Sequence, residues 1–178
     1  LSQWGFVVQV GRAHLSDEEA LYGFLTEGLP QLQALGQVYY SEDFKGLKIR
    51  RNSRASGSVR LLAAQQWLEL TLQVEDLSQE ELLSLLAAWR EKRRYFRLKD
   101  GSFLSLDGED QRAFFDQLAG FTDALDLASG QEKDGAFLLP AYRATQIEDL
   151  QQQYGIRLES NGSVENMLSR LRDRKSVV

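Results

Sequence analysis

Tyr95-Phe96-Arg97-Leu98-Lys99-Asp100-Gly101-Ser102-Phe103-Leu104-Ser105-Leu106 is the stretch on which the fold turns. Two short alternating runs flank Lys99-Asp100-Gly101, and Asp-Gly between such runs is a strong short-range signal for a β-hairpin. Alternation sets Tyr95, Arg97 and Lys99 on one face and Phe96 and Leu98 on the other; on the return strand it separates Phe103 from Leu104 and Leu106. One face is expected to join a core while the other meets water. A basic run, Arg90, Lys92, Arg93 and Arg94, precedes the hairpin, and a helix capped by Asp107 follows it.

Working upstream, residues 58–62 and 67–74 read as paired strands. In the second, Leu68, Leu70, Leu72 and Val74 share one face, opposite Glu69, Thr71 and Gln73, as in a half-buried strand. Ser78-Gln79-Glu80-Glu81 is a capping box, and Leu82, Leu85, Leu86 and Trp89 form the buried stripe of the helix it opens. The spacing predicts that residues 67–74 and both hairpin arms share one sheet, with this helix packed on its apolar face.

The N-terminal third reads as a strand over residues 4–10, a loop holding His14, and a helix capped by Ser16 with Glu19 at its third position. Pro30 fits a helix restart that ends at Gly36, residues 38–40 read as a short strand, and residues 52–57 as an exposed loop. Downstream, residues 128–135 read as a loop and residues 137–139 as a short strand. Residues 144–154 read as a helix closed by Gly155, and a last helix is capped by Ser163. The expected class is α+β, with an antiparallel or mixed sheet and helices packed on it. Segments 1–56, 57–135 and 136–178 are the expected divisions, as separate lobes or within one domain. Val7-Val8-Gln9-Val10 followed by Leu15-Ser16-Asp17-Glu18-Glu19 echoes Thr71-Leu72-Gln73-Val74 followed by Leu77-Ser78-Gln79-Glu80-Glu81. Duplication would make two related strand–helix–strand lobes; two good helix starts explain the echo equally well.

Arg97-Leu98-Lys99-Asp100-Gly101-Ser102-Phe103-Leu104-Ser105-Leu106 resembles the R-L-K-D-G-S-F-L-x-L signature of the bacterial SWI/SNF helicase-associated domain. The resemblance extends to Gly57-Ser58-Val59-Arg60, Trp67-Leu68-Glu69-Leu70 and Leu138-Leu139-Pro140-Ala141-Tyr142-Arg143, and is least specific before Arg50. It implies a module that precedes the ATPase motor of a longer bacterial polypeptide, often after a small zinc-binding module. It brings no catalytic residues with it. The chain begins at Leu1 and its single methionine is Met167, which also reads as a piece of something longer.

Composition narrows the chemistry. With no cysteine, disulfides and thiolate metal sites are excluded, and a reducing cytoplasm is the expected setting. With one histidine, His14, imidazole clusters and His-based triads are excluded too. No apolar run approaches the length of a membrane span. No Gly-Lys pair occurs, so the chain has no phosphate loop of its own, and Asp17-Glu18-Glu19-Ala20 reads as a helix start rather than a helicase acidic box. Asp107, Glu109, Asp110, Asp123 and Asp126 fall at helix ends and loops, where the dipole or solvent accounts for them. No enzyme, cofactor or metal is expected.

Binding remains. The formal net charge of −5 argues against a uniform nucleic-acid coat. Arg90, Lys92, Arg93, Arg94, Arg97 and Lys99 nevertheless form a basic run interleaved with Trp89, Tyr95 and Phe96. The resemblance implies a non-catalytic regulatory module that docks on the motor of its own polypeptide. The alternative is an accessory DNA- or RNA-binding module that uses the basic run against phosphates. A second cluster, Arg170, Arg172, Arg174 and Lys175, lies in the last helix.

Overall fold

The computed structural model describes residues 2–51, 54–62, 64, 66–75 and 77–176. Strands β1 (Val7–Gln9) and β2 (Arg12–His14) form an exposed hairpin. Its two-residue turn is Val10-Gly11, both with positive φ (46° and 75°), the signature of a type I′ turn. The expected strand over residues 4–10 is thus shorter, and His14 is on β2 rather than in a loop. Helix α1 (Glu18–Gly23) is capped by Asp17, whose carboxylate accepts from the Ala20 N–H at 2.7 Å, one residue later than the expected Ser16 cap. A π-helical turn at Phe24–Gly28 leads directly into α2 (Leu29–Leu35). The wider turn accommodates Pro30, which has no N–H to give the ladder.

Residues 38–40, expected as a strand, form none. Instead Tyr40 stacks on Phe44 at 5.4 Å, beside the Ser41-capped α3 (Glu42–Lys45). Next come β3 (Ile49–Arg50), β4 (Ala55–Leu62), β5 (Trp67–Val74) and α4 (Gln79–Arg90). Of the expected loop at 52–57, Asn52 and Ser53 lie outside the described residues. Ala55 to Gly57 instead extend β4, because β5 is long enough to pair with them up to Ala55↔Val74. The Ser78–Glu81 capping box is present as expected.

Then follow β6 (Tyr95–Arg97), β7 (Phe103–Ser105) and α5 (Glu109–Ala124). The N-cap of α5 is Gly108, not Asp107. The expected loop at 128–135 contains β8 (Gln131–Lys133), which turns through Asp134-Gly135 (φ 53° and 77°) into β9 (Ala136–Pro140). Helix α6 (Ala144–Tyr154) closes on Gly155 at φ 66°, and β10 (Glu159–Ser160) precedes α7 (Gly162–Ser176). Asn161 rather than Ser163 caps α7, accepting from the Val164 N–H at 3.2 Å.

The fold is α+β; among the described residues there are three sheets, ordered β1-β2, β10-β4-β5-β9-β8 and β3-β7-β6. β10 lies parallel to β4, and β3 parallel to β7. Strand β5 and the hairpin therefore do not share a sheet, contrary to expectation. The free edge of β5 is taken by β9, with Leu68↔Leu139 and Leu70↔Phe137 opposite each other. The hairpin instead finds β3, where Ile49↔Phe103 and Arg50↔Leu104 pair.

Packing groups the chain into two compact units, Leu1–Arg51 with Arg94–Leu106, and Asn52–Arg93 with Asp107–Val178. In the first, buried Tyr22, Leu25 and Phe103 gather Leu21, Leu29, Phe44, Leu47, Ile49 and Tyr95. Phe103, Leu104, Ser105 and Leu106 are all buried, so the return arm of the hairpin has no water-facing side. In the second unit α4 packs on β5 and α5, and α5 on α6. Leu68, Leu70, Leu72, Leu82, Leu85, Leu86, Phe115 and Phe121 are buried there, which places the expected apolar faces inward.

Candidate docking surface

The boundary between the units falls between Arg93 and Arg94, so the basic run is shared out between them. In the second unit the run begins where α4 ends. Trp89 is half-buried: its ring tilts against Phe115 with centroids 5.6 Å apart, and its Nε1 donates to Asp116 at 3.2 Å. That indole serves the fold. Arg90 donates to both carboxylate oxygens of Asp123, through Nε at 3.4 Å and through a shorter bond from its Nη2. Arg93 pairs with Glu91 at 2.7 Å.

Lys92 closes the helix in an unusual way. Its N–H reaches the Trp89 carbonyl at 2.9 Å, and the Arg93 N–H reaches Ala88 at 3.1 Å. This is the double bond pattern of a Schellman motif, whose left-handed position glycine normally fills. Lys92 holds that position at φ 58°. A side chain there costs about 1–2 kcal/mol relative to a relaxed backbone. Lys92 is exposed, and of the six cations in the run it is the one without a side-chain partner among the described residues.

In the first unit Arg94 pairs with Glu27 at 3.5 Å and Glu19 at 3.8 Å, its guanidinium 5.5 Å above the Tyr22 ring. Arg97 pairs with Glu18 at 3.8 Å and lies 4.3 Å over the Phe103 ring. Tyr95 stacks on Tyr22 at 4.6 Å. Partial burial, then the carboxylates of Glu18 and Glu19, push the Tyr95 phenol up to about 12. Lys99 is exposed in the hairpin turn. The turn is a three-residue loop in which Leu98 and Ser102 bond at 2.9 Å and Gly101 takes φ 84°. Asp100 accepts from both the N–H and the hydroxyl of Ser102 and pairs with Arg50 at 2.7 Å, which holds its carboxyl below the usual range.

Four arginines of the run are thus engaged by acids of their own unit. The acids at the start of α1, which the helix dipole alone explains, also pair with Arg94 and Arg97, 75 and 79 residues further along the chain. Nothing in the local sequence signals that pairing. The signal for Lys92 was present in the sequence: α4 stops without a glycine to receive the left-handed turn. Among the described residues no group of three His, Cys, Asp or Glu side chains is placed to hold a metal ion. None of the described helices is long and apolar enough to cross a membrane.

No curated protein and no solved structure matches the chain. The family model described as bacterial SNF2 helicase associated matches residues 1–177, in agreement with the resemblance carried by the hairpin. The chain therefore belongs to the bacterial SNF2 helicase-associated family and is an accessory domain of an SNF2-type protein.

Proposed function

We propose that this domain is non-catalytic and regulatory, and that it docks on the ATPase motor of its own cytoplasmic polypeptide through the surface around Lys92. The segment from residue 136 onward leads toward that motor. The observation that carries this reading is the state of the basic run. Phosphate binding requires uncompensated cations, whereas Arg90, Arg93, Arg94 and Arg97 are already paired with acids. Such paired charges suit a protein partner, for which a pattern of both signs sets register and excludes wrong surfaces. Lys92 supports the same reading, because a strained, exposed and unpaired side chain points to a role outside the fold.

The chain has no cysteine, so K92C introduces a single reactive thiol. With a photo-cross-linker on that thiol, the domain should attach to the motor far more than the same label on K133C, an exposed strand position. Equal cross-linking from both positions would refute the docking surface.

A further inference from the structure

The arginines of the basic run are paired with acids, but those of a different cationic stripe are not. Helix α7 buries Val164 and half-buries Met167, Leu168 and Leu171. At 100° per residue, Ser163, Asn166, Arg170 and Arg174 fall together on one exposed flank. Of the acids of the helix, Glu165 lies on the opposite side, near Arg172, which is paired with Glu148, while Asp173 borders the flank beside Asn166. Among the described residues, Arg170, Arg174 and Lys175 have no acid partner. Arginines four apart on a helix repel one another, so the placement invites an external anion.

Beside this stripe, within the same unit, lies a hollow of about 420 Å³. Leu61, Ala141 and Met167 make its apolar part, and Gln66, Asn166 and Arg170 its polar part. Among the described residues, the side chains of Gln66 and Asn166 have no hydrogen-bond partner. Tyr142, next in the chain to Ala141, is 77% exposed. Its ring has no aromatic neighbour within the fold among the described residues.

We infer that this flank of α7, with the hollow and Tyr142, binds a single-stranded nucleic acid segment. Arg170 and Arg174 are about 6 Å apart along the axis, a spacing that lets them contact neighbouring phosphates of one strand. The hollow offers an apolar floor and free amides to a base, and Tyr142 offers a stacking face. A duplex holds its bases stacked and paired, and uses neither the hollow nor the ring. The inference concerns a surface separate from Lys92 and does not depend on the docking proposal.

Fluorescence anisotropy of the 178-residue protein with a labelled oligothymidine of about 12 nucleotides tests it. The two phosphate contacts of Arg170 and Arg174 predict a log–log salt slope of about −1.4 for a single strand. R170Q/R174Q should lower affinity about tenfold or more and flatten the slope by about 1.4. Y142A should lower affinity severalfold with the slope unchanged, and K92Q/R93Q should leave binding as it was. These substitutions are at exposed positions, and an unchanged unfolding midpoint checks each fold. Absence of binding, or binding indifferent to both R170Q/R174Q and Y142A, overturns the inference. So does competition by polyglutamate as strong as by unlabelled oligonucleotide, which would make the occupant an acidic protein segment.

Discussion

Tyr22 donates its phenolic hydrogen to Ser105 Oγ at 3.1 Å, joining α1 to β7 across 83 residues of chain. Both residues are buried, and the same ring stacks on Tyr95 and meets Phe103 at 5.6 Å. The bond ties the family's hairpin to the N-terminal helix. Y22F leaves the Ser105 hydroxyl without this donor and should cost about 1–3 kcal/mol in urea unfolding. S105A should cost a similar amount, and the double variant should cost less than the sum. Strict additivity would show that the two side chains are not coupled.

Gly57 lies where β4 meets β5, and a methyl group there would come within 2.4 Å of the Thr71 carbonyl oxygen and 2.6 Å of Leu158. Because the first obstacle is backbone, the strands themselves must move. G57A should lower stability by about 1–3 kcal/mol, read as a drop in denaturant midpoint. An unchanged midpoint would mean the ladder from Ala55↔Val74 onward can relax without cost.

Leu72 and Leu86 are buried on β5 and α4. Truncating either to Ala should cost about 2–5 kcal/mol, through lost transfer energy and the cavity left behind. Denaturant midpoints equal to wild type in both variants would contradict the packing of α4 on β5.

Tyr95 predicts a specific alkaline behaviour. Its folded pKa, about 12, lies above the ordinary value of 10.0. The folded state therefore favours the neutral phenol. That contribution is fully present below pH 10.0 and is lost as pH rises through about 12. Y95F has no phenol to ionise, so its stability should fall less steeply than wild type over that window. Parallel curves would show that neither burial nor the carboxylates of Glu18 and Glu19 raise this phenol.

Signals that act within a few residues were readable from the sequence. The Ser78–Glu81 box, the alternation from Trp67 to Val74 and the Gly155 stop all stand as expected. Caps were misplaced by one or two residues where two good acceptors adjoin, as at Ser16-Asp17 and Asn161-Gly162-Ser163. The Asp134-Gly135 hairpin was missed because one arm, Gln131-Glu132-Lys133, is polar throughout and shows no alternation. What could not be read locally was partner choice. Whether the hairpin pairs with β5 or β3 depends on which edge is already occupied, and β9 decides that from seventy residues away. The pairing of the basic run was hidden for the same reason: apart from Glu91 on Arg93, its acids Glu18, Glu19, Glu27 and Asp123 are remote in sequence.

The most direct test of docking uses Lys92→Gly, measured twice. Glycine accepts the left-handed turn at φ 58°, so K92G should raise stability by about 1 kcal/mol. If Lys92 contacts the motor, the same change should weaken binding of the domain to the isolated motor at least about fivefold, as truncating an interface contact worth over 1 kcal/mol does. A more stable domain that binds its motor less tightly is the predicted result. A K92G domain that binds the motor as tightly as wild type would contradict the docking account.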